Sequence, residues 1–137
     1  MIFIDASALV AILMAEPEGR DLLLRVEETK TRLTSSLAIF EAVLAICRKR
    51  SMDVDVAHEK VSRFLSEAEV FVVPIEREDA QIALAAHALY GKGRGHPAQL
   101  NMGDCFAYAM AKSRGAALLF KGDDFVHTDI RSAVASS

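Results

Sequence analysis

Cysteine is scarce in this chain: two residues in 137 exclude a disulfide framework, and a chain of this length has no need of one. With 52% hydrophobic residues it can build a core, burying roughly 70% of its extended-chain surface, and disorder is excluded. Cys47 and Cys105 stand in apolar helical surroundings and read as small core residues of a reducing, cytoplasmic compartment. No run reaches the roughly 18 apolar residues of a spanning helix, so no membrane role is expected. The apolar opening lacks a basic segment and carries Asp5, so it reads as a strand and not as a secretory leader. Repeats, low-complexity tracts and Pro/Gly/Ser-rich linkers are absent, and residues 1–137 read as one domain. An excess of positive charge is absent too. Sixteen Lys and Arg against 19 Asp and Glu leave −3, which alone argues weakly against a nucleic-acid partner.

What is present is an alternation of short strand-like runs with longer helical ones. Met1–Ile4 reads as a first strand, Ser7–Ala15 and Gly19–Glu28 as helices, and Arg32–Ser35 as a weak second strand. Ser36–Lys49 is a strong helical run with a basic end. Asp55–Glu67 is amphipathic, with Val56, Val61, Phe64 and Leu65 as its expected core stripe. Val70–Ile75 reads as a third strand, Glu78–Tyr90 as a helix, Gly91–Gly103 as a loop, Asp104–Arg114 as a helix and Ala117–Phe120 as a fourth strand. This order predicts an α/β fold, a buried parallel sheet with helices on both faces. Ligands of such sheets bind beyond the carboxyl ends of the strands, at the switch in strand order.

Carboxylates cluster where that rule directs attention. Asp5 follows the first strand, and Asp123 and Asp124 follow the last. An ordinary helix cap would also account for Asp5, with Ser7 as a competitor. Glu41 is the one charge in the run Leu37–Cys47, and a helix apolar all round is expected to be buried all round. Its carboxylate then faces the interior or a cleft, unless it pairs with Arg20, Arg25 or Lys112. Asp104 opens a helix three residues after Asn101, the spacing of a capping box.

Four ionised carboxylates within about 5 Å of one another repel by about 3 kcal/mol per pair at an effective dielectric near 20. Such a cluster must take up protons or hold a divalent cation. Oxygen ligands alone point to Mg²⁺, with Mn²⁺ as a substitute, because His58, His87, His96 and His127 are scattered. An acidic site holding such a cation suits phosphoryl chemistry. The glycine-rich loop Gly91–Pro97 carries Lys92, Arg94 and His96, a composition suited to a phosphate backbone, although a plain solvated loop reads the same way.

Four motifs together carry a family resemblance. They are Ile2-Phe3-Ile4-Asp5-Ala6-Ser7-Ala8-Leu9, then Glu41 on its helix, then Asn101-Met102-Gly103-Asp104-Cys105-Phe106-Ala107-Tyr108-Ala109, then Lys121-Gly122-Asp123-Asp124-Phe125. In this order the chain resembles the PIN-domain nucleases, and within them the VapC-type toxins of prokaryotic toxin–antitoxin pairs. The resemblance implies a three-layer α/β/α sandwich and a Mg²⁺-dependent endoribonuclease. It implies a metal cluster of Asp5, Glu41 and Asp104 completed by a fourth acid, with Ser7 in support. It also implies a homodimer and a cognate antitoxin that fills the cleft, seated near the Glu41 helix or the first two helices around Leu13, Leu22 and Leu23. The chain departs from the commoner pattern at Gly122, where an acid is usual, so Asp123 and Asp124 compete for the fourth place. The alternative reading is a catalytically silent PIN-like binding module.

Overall fold

The computed structural model describes residues 1–134. Four short strands, β1 (Ile2–Ile4), β2 (Arg32–Thr34), β3 (Phe71–Val72) and β4 (Ala117–Leu119), form one sheet in the order β3-β2-β1-β4. Every pairing is parallel, with Phe3 opposite Leu33 on one side and Leu118 on the other. Six helices complete the fold: α1 (Ala6–Leu13), α2 (Gly19–Glu28), α3 (Ser36–Arg50), α4 (Val54–Glu67), α5 (Arg77–Tyr90) and α6 (Met102–Ser113).

The period-2 alternation of strand side chains sorts the core into two halves. Ile2, Ile4 and Leu119 pack with Leu9, Val26, Ile46 and Val61 of α1 to α4. Phe3, Leu33 and Leu118 point the other way and pack with Ala83, Tyr108 and Met110 of α5 and α6. The result is the expected three-layer α/β/α sandwich. Its chain runs from β1 outward to β2 and β3, then returns to the far side of β1 for β4. The switch in strand order therefore falls between β1 and β4, whose carboxyl ends carry Asp5 and the 121–124 turn.

The outer helices are joined by a buried ion pair. Asp79 is 1% exposed, and its carboxylate accepts hydrogen bonds from Arg114 (2.9 Å), Ser113 (2.6 Å) and the Glu76 N–H (2.7 Å). Arg114 also donates to the Pro74 carbonyl, so one guanidinium holds α5, α6 and the segment between them and the sheet edge.

Several expectations change. The helix bearing Glu41 is not buried all round: Phe40 is 61% exposed, because α3 lies on the outside of the sheet with only Ala38, Ala42, Val43 and Ile46 facing inward. In α4 the inner stripe is Ala57, Val61 and Leu65, while Val56 is exposed, one position off the face that meets α3. The third strand shrinks from Val70–Ile75 to Phe71–Val72 and is an exposed edge of the sheet. The last long helix begins at Met102, not Asp104, because Asn101 caps it. Cys105 is buried and Cys47 half-buried, both as free thiols.

Candidate active site

Asp5 leaves β1 directly into α1. Its backbone N–H donates to the Leu119 carbonyl of β4 at 3.0 Å, which fixes it at the switch point. Its side chain caps α1, accepting from the Ser7 N–H at 3.0 Å and the Ser7 hydroxyl at 2.5 Å. The cap and the site residue are thus the same group. Ser7 Oγ in turn accepts the Lys121 N–H at 3.0 Å, so one hydroxyl ties the ends of β1 and β4 together. Burial raises the Asp5 pKa above its ordinary value; the Ser7 and Ala6 hydrogen bonds oppose the rise, and the charge of Asp124 adds to it.

Glu41 is half-buried on α3, on the flank facing the same cleft. None of the expected partners reaches it: Arg25 pairs with Glu28 and Lys112 with Asp129. Burial, then the charges of Asp5 and Asp104, push it up to about 7. Its carboxylate lies against Gly103 in the first turn of α6, where any Cβ would overlap it. Glycine is a poor helix former, and here it is explained by close approach. The positive end of the α6 dipole faces this carboxylate.

Asp104 completes the capping box of α6, accepting the Asn101 N–H at 3.1 Å while its own N–H donates to the Asn101 side chain at 2.8 Å. The capping spacing seen in the sequence is therefore real, and it holds one carboxylate oxygen, Oδ2. Burial raises its pKa to about 7, against the Asn101 hydrogen bond and with the charges of Asp5 and Asp124.

Asp5, Ser7, Glu41 and Asp104 all line one cleft of about 440 Å³. Asp124 acts on Asp5 and Asp104 through its charge, whereas Asp123 lines a separate, wider groove between α2 and the C-terminal segment. The buried Phe125 ring, 5.0 Å from that of Phe120, anchors the turn that separates the two. Lys92, Arg94 and His96 do not line the acidic cleft. Lys92 and Arg94 are exposed, and His96 is engaged locally, its ring edge-on to Tyr90 and its Nδ1 accepting the Ala98 N–H.

The donor chemistry fits a hard divalent cation: the carboxylates are oxygen ligands, and among the described residues none of Asp5, Glu41 and Asp104 has an ion-pair partner. As they stand, no three His, Cys, Asp or Glu side chains among the described residues surround a common point closely enough to hold an ion. Repulsion between like charges opposes such convergence until a cation offsets it.

The residues missed by the sequence reading are Glu16, Arg48, Lys49 and Lys121, which line the same cleft. The basic end of α3 is legible in the sequence, but nothing in its spacing joins it to the acids. That Glu16 lies beside them is a tertiary fact.

Against known proteins, the PIN domain family model matches residues 2–131. A VapC ribonuclease of Rhizobium meliloti is 42% identical over 141 aligned residues, covering 95% of this chain and 99% of the relative. Ribonuclease VapC30 of Mycobacterium tuberculosis is also 42% identical, over 93% of this chain and 94% of its own. This chain belongs to the PIN-domain nucleases of the VapC type. The crystal structure of Mycobacterium tuberculosis VapC20, titled a sarcin–ricin loop cleaving toxin, superposes with a TM-score of 0.73 at 15% identity, covering 95% of this chain and 96% of that one. That likeness concerns the fold. For this VapC-type chain, the family resemblance carried by the four motifs and the full-length matches agree. No helix among the described residues is long and apolar enough to cross a membrane.

Proposed function

We propose that this VapC-type chain is the toxin of a type II toxin–antitoxin pair and a Mg²⁺-dependent endoribonuclease, with Mn²⁺ able to replace Mg²⁺. The observation that carries the reading is that Asp5, Glu41 and Asp104 share one cleft and that, among the described residues, none of the three has an ion-pair partner. Asp5, Glu41 and Asp104 would hold the metal, and Asp124 would be the fourth acid because its charge reaches Asp5 and Asp104. A divalent cation bound there supplies Lewis-acid polarisation of the phosphate and lowers the pKa of water. The chain's own part is to hold the carboxylates in place for the ion, Asp5 through Ser7 and Asp104 through Asn101.

The partner belongs to the same reading. Phe40 and Leu44 (39% exposed) line the cleft beside Glu41, an apolar seat next to an acidic hole. An amphipathic antitoxin helix that places an Arg among the three carboxylates fits both. The alternative seat on the first two helices around Leu13, Leu22 and Leu23 offers less apolar surface, because Leu22 is buried against the sheet, Leu13 and Leu23 are half-buried, and the exposed leucine of α2 is Leu24. A homodimer is part of the same proposal.

The test is end-mapping of RNA cut by the purified chain with Mg²⁺, Mn²⁺ or chelator. Cleavage that needs the metal is expected, together with a melting temperature that rises with Mg²⁺; binding to the native state alone adds about 2.7 kcal/mol at a hundredfold over Kd. Melting unchanged across millimolar Mg²⁺ and Mn²⁺, with no cleavage, would leave a silent binding module.

A further inference from the structure

We propose that Lys49 and Lys121 hold the RNA backbone at the mouth of the acidic cleft, and that Glu16 is the positioning residue that aims them. This deepens the nuclease reading and rests on it. Both ammonium groups line the cleft that contains Asp5, Glu41 and Asp104, yet neither pairs with those acids. A lysine beside a group of unpaired carboxylates has a strong electrostatic reason to join them. Both instead bind Glu16, Lys49 at 2.8 Å and Lys121 at 3.0 Å, and Lys121 also reaches Glu18 at 3.2 Å.

Glu16 is held where it can do this. Ala15 has φ +52°, the left-handed conformation that ends α1, and the Glu16 N–H donates to the Ala11 carbonyl at 2.9 Å, the long bond of a Schellman stop. Its own carbonyl accepts the Gly19 N–H at 2.8 Å, and Pro17 follows. The carboxylate therefore stands on stiff backbone, 17% exposed, between two cations. Lys121 is fixed from a second side, because its N–H donates to Ser7 Oγ, the hydroxyl that also binds Asp5.

An ammonium has three N–H donors. Glu16 occupies one on Lys49, whose side chain keeps 46% exposure, so donors remain for a phosphate oxygen without breaking the pair. A chain of net charge −3 with an acidic cleft needs local cations to admit a polyanion. Lys49 and Lys121 supply them at the cleft, where Lys92 and Arg94 do not lie. Glu16 keeps the two ammonium groups off the metal-binding acids while pointing them at the substrate's flanking phosphates.

RNA binding is measured by fluorescence anisotropy of a labelled single-stranded oligonucleotide, in an Asp5→Asn background. Adding Lys49→Ala and Lys121→Ala together is expected to weaken Kd at least tenfold at low salt. The slope of log affinity against log salt should flatten by about 1.4, two contacts at about 0.7 each for a single strand. In the otherwise native chain, Glu16→Gln keeps both positive charges. It is expected to leave RNA binding equal or tighter, yet to lower kcat at least tenfold, with kcat partly restored by Glu16→Asp. A merely structural role would lower the melting temperature without separating binding from turnover. Unchanged affinity and slope in the double-lysine variant overturn the proposal, and so does unchanged kcat in Glu16→Gln. If Asp5→Asn still cuts RNA while the double-lysine variant loses affinity, the lysine contact stands and the metal-site reading fails. If Asp5→Asn is inactive and the lysine variant binds fully, the reverse holds.

Discussion

Two places in this molecule bury carboxylates, and they treat them in opposite ways. Asp79 is almost fully enclosed, and burial pushes its pKa up, but hydrogen bonds from Arg114, Ser113 and the Glu76 N–H more than reverse this and hold it below the ordinary value. Asp5, Glu41 and Asp104 sit at the switch point with no cation paired to them among the described residues; burial holds all three above their ordinary values, and the charges of Asp5 and Asp104 on Glu41, of Asp5 and Asp124 on Asp104, and of Asp124 on Asp5 add to it. The first arrangement ties helices together. The second opposes folding at neutral pH, and under the proposed function a bound cation would offset that cost. A buried acid that has been given its counter-ion is structure; one without a counter-ion is a candidate site.

The contrast is broken most strongly by removing a charge from each place. Asp5→Asn, Glu41→Gln and Asp104→Asn are each expected to lower RNA cleavage at least about a hundredfold, the scale of metal-ligand loss, while the metal-free chain melts at the same temperature or higher. Asp79→Ala should do the reverse. It leaves Arg114 uncompensated and costs about 3 kcal/mol, a drop of about 10 °C in Tm, with the cleft chemistry intact in the protein that remains folded. A melting scan beside a cleavage assay checks both.

Titration sharpens the comparison. Glu41 and Asp104 bind their protons more tightly folded than unfolded, so the folded state takes up protons and is favoured at low pH. Their contribution to stability falls as pH rises from about 4 to about 7. Asp79 has the opposite sign: its contribution is full above the ordinary value of 3.8 and is lost as pH falls through its lower folded value. The metal-free chain should therefore be more stable at pH 5 than at pH 8, and saturating Mg²⁺ should flatten that slope. Glu41→Gln should flatten it partly without metal, whereas Asp79→Asn should leave it and remove resistance to acid instead.

Two smaller effects probe the backbone. Gly103→Ala puts a methyl group where the Glu41 carboxylate lies, so it should lower metal affinity and cleavage about tenfold, with a change in Tm within a few degrees. Ala15→Gly relieves the left-handed Ala15 at the end of α1, and is expected to change stability by less than about 1 kcal/mol, with cleavage unchanged. Changing Lys92 and Arg94 to Ala tests the loop reading; it should weaken RNA binding less than loss of Lys49 and Lys121.

Much of this was legible because local physics repeats itself. Short apolar runs before Asp5 and after Gly115 alternate with helical periods, and that order alone predicts a parallel sheet with its site at the carboxyl edge. The spacing of Asn101 and Asp104 announces a capping box, which the α6 start obeys. What misled was composition taken as burial. Eleven residues around Glu41 look buried all round, but α3 has one inner face, and Phe40 lies outside it.

By itself the sequence determined the class of fold, the strands that end in acids and the family the chain belongs to, since each depends on residues near one another or in a fixed order. Only the tertiary structure decided the rest. It brought the charge of Asp124 to bear on Asp5 and Asp104, pressed Glu41 onto Gly103, paired Asp79 with Arg114, and turned Lys49 and Lys121 onto Glu16. The ion pair of Lys121 with Glu16 alone joins residues 105 positions apart. A charge's partner is set by which groups the packed layers bring within a few ångströms, and the chain's own order carries no record of that distance.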